Sequence, residues 1–170
     1  MGINLSEIKK EDMEHIYKWF SDVEFLKYYD YYPPVPLNED EADKIFNDYK
    51  NSKKSKVFAV RLNDTIIGIA GFDDMIEENQ VATLFIGLGN ENERGRGYGK
   101  EAMKLLLRYG FNYLNLHRIQ LNVLEFNKRA IALYEKCGFK KEGIFREFVL
   151  RDGKRHDLLL YGLLKNEWIK

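Results

Sequence analysis

Arg94-Gly95-Arg96-Gly97-Tyr98-Gly99-Lys100 sets three glycines and three cations within seven residues, just ahead of a stretch with helical periodicity. Glycine lets a backbone curl and approach a ligand closely, and the start of a helix leaves several N–H donors without intrahelical partners. Those donors, with the positive end of the helix dipole, form an anion site. Downstream, Ala102, Leu105, Leu106, Tyr109 and Tyr113 share one helical face between Glu101 and Leu114. Upstream, Val81 to Leu88 is an apolar run rich in β-branched and aromatic residues, as a largely buried strand should be. The spacing therefore predicts strand, glycine loop and helix, with a polyphosphate seated on the loop. A P-loop would require Gly-Lys-Ser or Gly-Lys-Thr and a Rossmann loop Gly-x-Gly-x-x-Gly, and neither is present. Taken alone, the segment could also be a basic glycine turn that only caps a helix.

The rest of the composition narrows the class. A chain of 170 residues is one domain by length, 1–170, and can enclose a core. Lys plus Arg equals Asp plus Glu at 27 each, so no global field recruits nucleic acid or an anionic membrane. There is no long apolar segment and no signal-peptide pattern, and the one cysteine, Cys137, cannot form an internal disulfide; these features predict a cytoplasmic location. His15, His117 and His156 lack metal-ligand spacing, so no metal site is expected.

Along the chain, Ile3 to Ile8 alternates as a strand, and Glu11 opens a helix carrying Ile16, Trp19 and Phe20, followed by a short helical piece around Glu24 to Tyr28. Tyr28, Tyr29, Tyr31 and Tyr32 crowd around Asp30 and run into Pro33, Pro34 and Pro36, which predicts an ordered extended loop. A helix from Glu39 to about Lys50 follows. Lys56–Leu62 and Ile66–Phe72 form a hairpin, and 73–79 reads as a loop. After the central helix come a strand from Arg118 to Leu124, a helix from Asn127 to Cys137 stopped at Gly138, and a hairpin of Lys141–Leu150 and Lys154–Leu164. The expected architecture is α+β: a mixed, mostly antiparallel sheet of about seven strands flanked by about four helices.

Arg94-x-x-Gly97-x-Gly99 resembles the acyl-CoA pyrophosphate loop of the GNAT superfamily of N-acetyltransferases. Asn127-x-x-Ala130-x-x-x-Tyr134, followed by Gly138-Phe139, resembles that superfamily's second signature. Glu142-Gly143-Ile144-Phe145-Arg146, Asp152-Gly153, Tyr161 and Glu167-Trp168 are similar to the subgroup containing ribosomal-protein N-terminal acetyltransferases and spermidine acetyltransferase. The similarity runs from Ile3 to Trp168 and is dense from Phe85 onward.

The resemblance implies direct transfer of an acetyl group from acetyl-CoA to a primary amine, either a polyamine or other small amine or a protein N-terminus, with a homodimer possible. A non-catalytic acyl-CoA-binding or sensing domain is the alternative, and a nucleotide-binding module a third reading. Transfer requires a held thioester, a deprotonated amine, a stabilised oxyanion and a proton for the leaving thiolate. By resemblance, the backbone of Ile86, Gly87, Leu88 and Gly89 pairs with pantetheine, the glycines suiting a bulge or a close backbone approach. Arg94, Gly95, Arg96, Gly97, Tyr98, Gly99 and Lys100 seat the pyrophosphate, and Lys100, Lys104, Lys128 and Arg129 are candidates for the remaining CoA phosphate. Asn127 serves as helix N-cap or CoA contact, with Ala130 beside it. Tyr134 is the expected general acid, since a phenol near 10 can protonate a thiolate near 8.5. Its apolar stripe of Ala130, Leu133 and Cys137 also suits plain core packing. Where some relatives carry a glutamate base, this chain has Asn122; no base is assigned. Cys137, without an adjacent histidine, is not expected to be a nucleophile. The Tyr-Pro loop and the acidic residues after it suit a cationic amine.

Overall fold

The computed structural model describes residues 2–89, 92 and 94–168; Met1 and 169–170, the ends of the expected 1–170 domain, lie outside that set. Seven strands form one sheet in the order β1-β2-β3-β4-β5-β7-β6: β1 Ile3–Ser6, β2 Lys56–Leu62, β3 Thr65–Ile76, β4 Val81–Leu88, β5 Arg118–Leu124, β6 Lys140–Arg151 and β7 Lys154–Leu164. Every neighbouring pair is antiparallel except β4 with β5. The α-helices are α1 Met13–Phe20, α2 Val23–Tyr29, α3 Glu39–Asn51, α4 Tyr98–Arg108 and α5 Lys128–Lys136. The helix after the first strand begins with a separate 3₁₀ turn, Lys10–Asp12.

Local chemistry explains most of these limits. Asn38 caps α3 by accepting from the Glu41 amide while the Glu41 carboxylate accepts from the Asn38 amide, a reciprocal box. Asn63, Asp152 and Gly153 adopt left-handed φ of 55°, 50° and 76°, which closes the β2–β3 and β6–β7 hairpins. Several limits differ from the expected ones: β1 stops at Ser6 rather than Ile8, and β6 runs one residue further at each end. Residues 73–76, expected in a loop, extend β3 through a register shift between Asp73 and Ile76. The central helix starts at Tyr98 and ends in a π turn, Tyr109–Tyr113, where the Leu114 amide donates to the Tyr109 carbonyl at 3.0 Å. In that turn Gly110 lies so close to the sheet that a Cβ would stand 2.8 Å from Ile119 and 3.0 Å from Phe72.

Alternation along the strands sends side chains to two cores. One packs α4 and α5 against Val60, Ala70, Phe72, Leu84, Ile119 and Leu121. The other packs α1, α2 and α3 against Ala59, Ile69 and Phe85 on the opposite face. A buried ion pair ties the start of α1 to β2: the Arg61 guanidinium meets the Asp12 carboxylate at 2.6 and 2.9 Å.

Candidate active site

The site begins with a break in strand pairing. β4 and β5 are joined only at Val81↔Arg118, Ala82↔Ile119 and Thr83↔Gln120. Beyond that point β4 follows β3 to Gly68↔Leu88, and β5 follows β7 to Leu124↔Leu158. The Gly89 amide donates to the Ile67 carbonyl at 3.0 Å, which turns residue 89 toward β3. Alternation then turns the backbone groups of Ile86 and Leu88 away from β3 and into the opening. The Leu88 carbonyl accordingly accepts from Arg94 at 3.3 Å rather than from a strand.

Gly87 and Gly89 serve a close approach, and the register from Gly68↔Leu88 to Phe72↔Leu84 runs without a shift, so there is no bulge at these positions. A Cβ on Gly89 would stand 2.1 Å from the Trp19 ring, and one on Gly87 2.7 Å from Tyr29. The partners brought near are aromatic side chains of α1 and α2, which roof β4.

The glycine loop closes the far end of the opening. Gly95 and Gly97 take φ of 81° and 86°, conformations that side-chain-bearing residues adopt at a cost. Gly97 caps α4, and the amides of Gly97, Tyr98 and Gly99 have no acceptor among the described residues. Lys100 differs from the expectation: its amide is taken by the Gly97 carbonyl at 3.0 Å, because the first turn tightens to a 3₁₀ bond. Arg96 is exposed on the loop. An added Cβ on Gly95 would lie 3.3 Å from Arg129, and one on Gly99 3.3 Å from Leu133 and 3.8 Å from Leu88. The loop, the end of β4 and the first turns of α5 therefore converge.

Asn127 caps α5, its Oδ1 accepting from the Ala130 amide at 3.2 Å, while its Nδ2 donates to the Tyr28 carbonyl at 3.3 Å. Both polar ends are thus engaged, one within α5 and the other with α2. Lys128 and Arg129 are exposed, and the charges of Lys100 and Lys104 bear on Cys137. Burial pushes the Cys137 thiol up despite those lysines, which is contrary to what a thiolate nucleophile needs.

Tyr134 is 7% exposed, and its hydroxyl has no hydrogen-bond partner among the described residues. Burial raises its phenol well above the ordinary value, with a smaller push from Cys137. Its ring meets Phe139 edge-on at 6.1 Å. Across the sheet, the Tyr29 phenol is also raised, chiefly by burial, and Tyr134 contributes to that rise. The two phenols belong to opposite cores yet sense each other where β4 and β5 part.

On the Tyr29 side lies a cluster of phenols and carboxylates. Tyr49 stacks on Phe85 with centroids 5.7 Å apart, and its phenol is pushed up to about 12 by burial and then by Asp73 and Asp30. Tyr31 is likewise pushed up to about 12, by burial and its neighbour Tyr32. Tyr28 packs on Phe126 at 5.6 Å and Tyr31 on Phe148 at 5.7 Å, so the Tyr-rich segment spans from β4 to the end of β5 and to β6. Asn122 is exposed on β5, and Glu125 turns to His156, with Oε1 3.2 Å from Nδ1. Sequence reasoning did not single out Arg151, whose buried guanidinium reaches back to this segment; only its contacts, more than a hundred residues away in the chain, reveal it.

Comparison with known proteins bears on the family and the fold. The family model described as Acetyltransferase (GNAT) domain matches residues 3–140. An uncharacterized N-acetyltransferase, p20, of Bacillus licheniformis is 30% identical over 98% of this chain and 94% of its own length. Spermidine N(1)-acetyltransferase of Vibrio cholerae is 26% identical over 98% of this chain and 95% of its own. The crystal structure of spermidine N-acetyltransferase from Vibrio cholerae with CoA and spermine superposes with a TM-score of 0.89 at 24% identity, covering 97% of this chain and 96% of that one. That likeness extends to the whole fold.

Proposed function

The chain belongs to the GNAT acetyltransferase family, an N-acetyltransferase drawing on acetyl-CoA, and from that premise we propose that it acetylates a small cationic alkyl amine held between the Tyr-rich segment and β4. The observation that carries the reading is the opening between β4 and β5, with unpaired loop amides at one end and the buried Tyr134 phenol near enough to act on Tyr29, which packs against Gly87 of β4.

In this reading the backbone of Ile86 and Leu88 pairs with the amides of the pantetheine arm, as a missing strand would. The amides of Gly97, Tyr98 and Gly99 receive the pyrophosphate at the positive end of α4, with Arg129 beside Gly95 to neutralise it. Held at both ends, the thioester is aimed at the gap. The amine, having given up its ammonium proton to solvent, attacks the acetyl carbonyl; the tetrahedral adduct releases the nitrogen's extra proton to water, and its collapse breaks the C–S bond. Tyr134 gives its proton to the departing sulfur and regains one from solvent; burial keeps the phenol protonated before the step while making it a weaker donor.

The acceptor class follows from the cluster of phenols and carboxylates. Aromatic faces and carboxylates attract an ammonium, and the phenols of Tyr29, Tyr31 and Tyr49 stay neutral at physiological pH. Spermidine is the acceptor in the name of one relative; another, 32% identical over 61% of this chain, is a [ribosomal protein uS5]-alanine N-acetyltransferase of Escherichia coli. An acetylation assay with acetyl-CoA and a panel of monoamines, spermidine, aminosugars and short peptides tests the choice. Turnover highest with the alkyl amines is expected. Turnover only with peptides would move the acceptor to a protein N-terminus, and CoA binding with no transfer to any amine would leave a non-catalytic sensor.

A further inference from the structure

We propose that the Asp30 carboxylate is the counter-charge that receives the acceptor's ammonium, and that Arg151 is the positioning residue that sets it there. The inference rests on the acceptor reading above.

Asp30 ends α2 in an extended conformation, between Tyr29, which packs on β4, and Tyr31, which packs toward β6. The stretch Tyr28–Asp30 therefore crosses from Gly87 of β4 to Phe126 and Asn127 beyond β5, over the place where the two strands part. The Asp30 carboxylate is partly buried, and its Oδ1 accepts from the Tyr31 amide at 2.5 Å. It has no ion-pair partner among the described residues. A carboxylate withdrawn from water without a cation is costly, and such groups are ordinarily paired.

The nearest guanidinium does not pair with it. Arg151, 6% exposed, donates from Nη2 to the carbonyls of Asp30 at 2.7 Å and Tyr32 at 2.9 Å, and from Nε to that of Lys27 at 3.5 Å. Nη1 is occupied by its own neighbour, the Leu150 carbonyl, at 3.1 Å. This arrangement fixes the backbone on both sides of Asp30 while leaving its carboxylate unneutralised by direct contact. Lys27 is diverted as well, bridging Glu24 and Asp152. The charged and titratable groups that interact with Asp30 are Tyr29 and Tyr31 on its own segment, Tyr49 on α3 and Arg151 at the end of β6; Asp73 and Asp74 of β3 act on the same phenols, and Asp152 on the same guanidinium. Burial pushes the Asp30 carboxyl up, offset in part by the amides of Tyr31 and Tyr32 and by Arg151.

Two variants, Asp30→Asn and Arg151→Met, separate this role from a structural one, with spermidine as probe. In Asp30→Asn, KM for spermidine should rise roughly ten- to a hundredfold, as for a lost hydrogen bond to a charged group. The CoA dissociation constant should hold and the melting temperature should stay level or increase, because a poorly solvated charge is removed. The wild-type KM should rise as pH falls through the raised carboxyl value, and the Asp30→Asn substitution should abolish that limb. Arg151→Met should raise the same KM without moving CoA binding, with partial recovery in Arg151→Lys. An unchanged KM and spermidine affinity in Asp30→Asn, or a fall in melting temperature accompanying the KM rise, would overturn the assignment. Calorimetric binding of spermidine to the CoA-loaded protein reads Asp30 independently of turnover. Binding that weakens in Asp30→Asn, in a wild-type protein that transfers no acetyl group, would sink the transfer reading and leave the Asp30 assignment standing.

Discussion

Tyr134 carries a hydroxyl that the core does not satisfy, and a buried hydroxyl left unpaired costs about 1–3 kcal/mol. Core packing would be served as well by phenylalanine, so the two accounts of this residue make opposite predictions. If the phenol protonates the leaving sulfur, Tyr134→Phe should lower kcat by roughly 10²- to 10⁴-fold. CoA binding should persist, and unfolding should show no loss of stability. A near wild-type kcat would return the residue to packing. Its place on the buried face of α5 was legible because Asn127-x-x-Ala130-x-x-x-Tyr134 fixes a helical spacing from the cap to that face. Arg151 was not legible, since nothing local to a hairpin turn tells that its guanidinium will be buried against carbonyls from α2 and the loop after it. The same limit applied to Gly87 and Gly89: the sequence shows absent side chains, and only packing shows that rings of α1 and α2 fill the space.

Strands made of apolar runs bounded by clear turn residues were readable to the residue, as β2, β5 and β7 show. The misread segment, 73–76, mixes two aspartates with apolar residues and passes through Asp74 at φ 47°, so its alternation is broken where the register shifts. The roof that α1 and α2 place over β4 depends on that absence of side chains. Gly89→Ala puts a methyl 2.1 Å from Trp19, and overpacking of this kind costs about 1–3 kcal/mol. Chemical denaturation should record that loss, and a stability equal to wild type would show that the roof yields freely. The link from α1 to β2 predicts acid behaviour. Burial alone would push the Asp12 carboxyl up, but the Arg61 hydrogen bonds and the Lys9 amide overcome it and hold the group below its ordinary value. A depressed carboxyl stabilises the fold above its unfolded-state value and loses that contribution as pH falls through the folded one. Arg61→Leu should cost about 3–5 kcal/mol near neutrality by leaving Asp12 buried and unpaired, and the deficit should narrow in acid. A deficit independent of pH would assign the loss to packing alone.

At the scale of the molecule, the candidate site is set by two strands that start together and part. β5 is drawn away by β7 and β4 is kept by β3, so the sheet itself presents unpaired backbone where a cofactor can pair as a strand. Near that gap a phenol from the α4–α5 side and the Tyr-rich segment from the α1–α3 side share one electrostatic environment. No described helix is long and apolar enough to cross a membrane. Amide-resolved hydrogen exchange with and without CoA tests this placement most directly. CoA should slow exchange at Ile86 and Leu88 in the opening and at Gly97, Tyr98 and Gly99 on the loop, while Lys100, already bonded within the helix, changes little. Binding without protection at these amides, or protection confined to another face, would contradict the account.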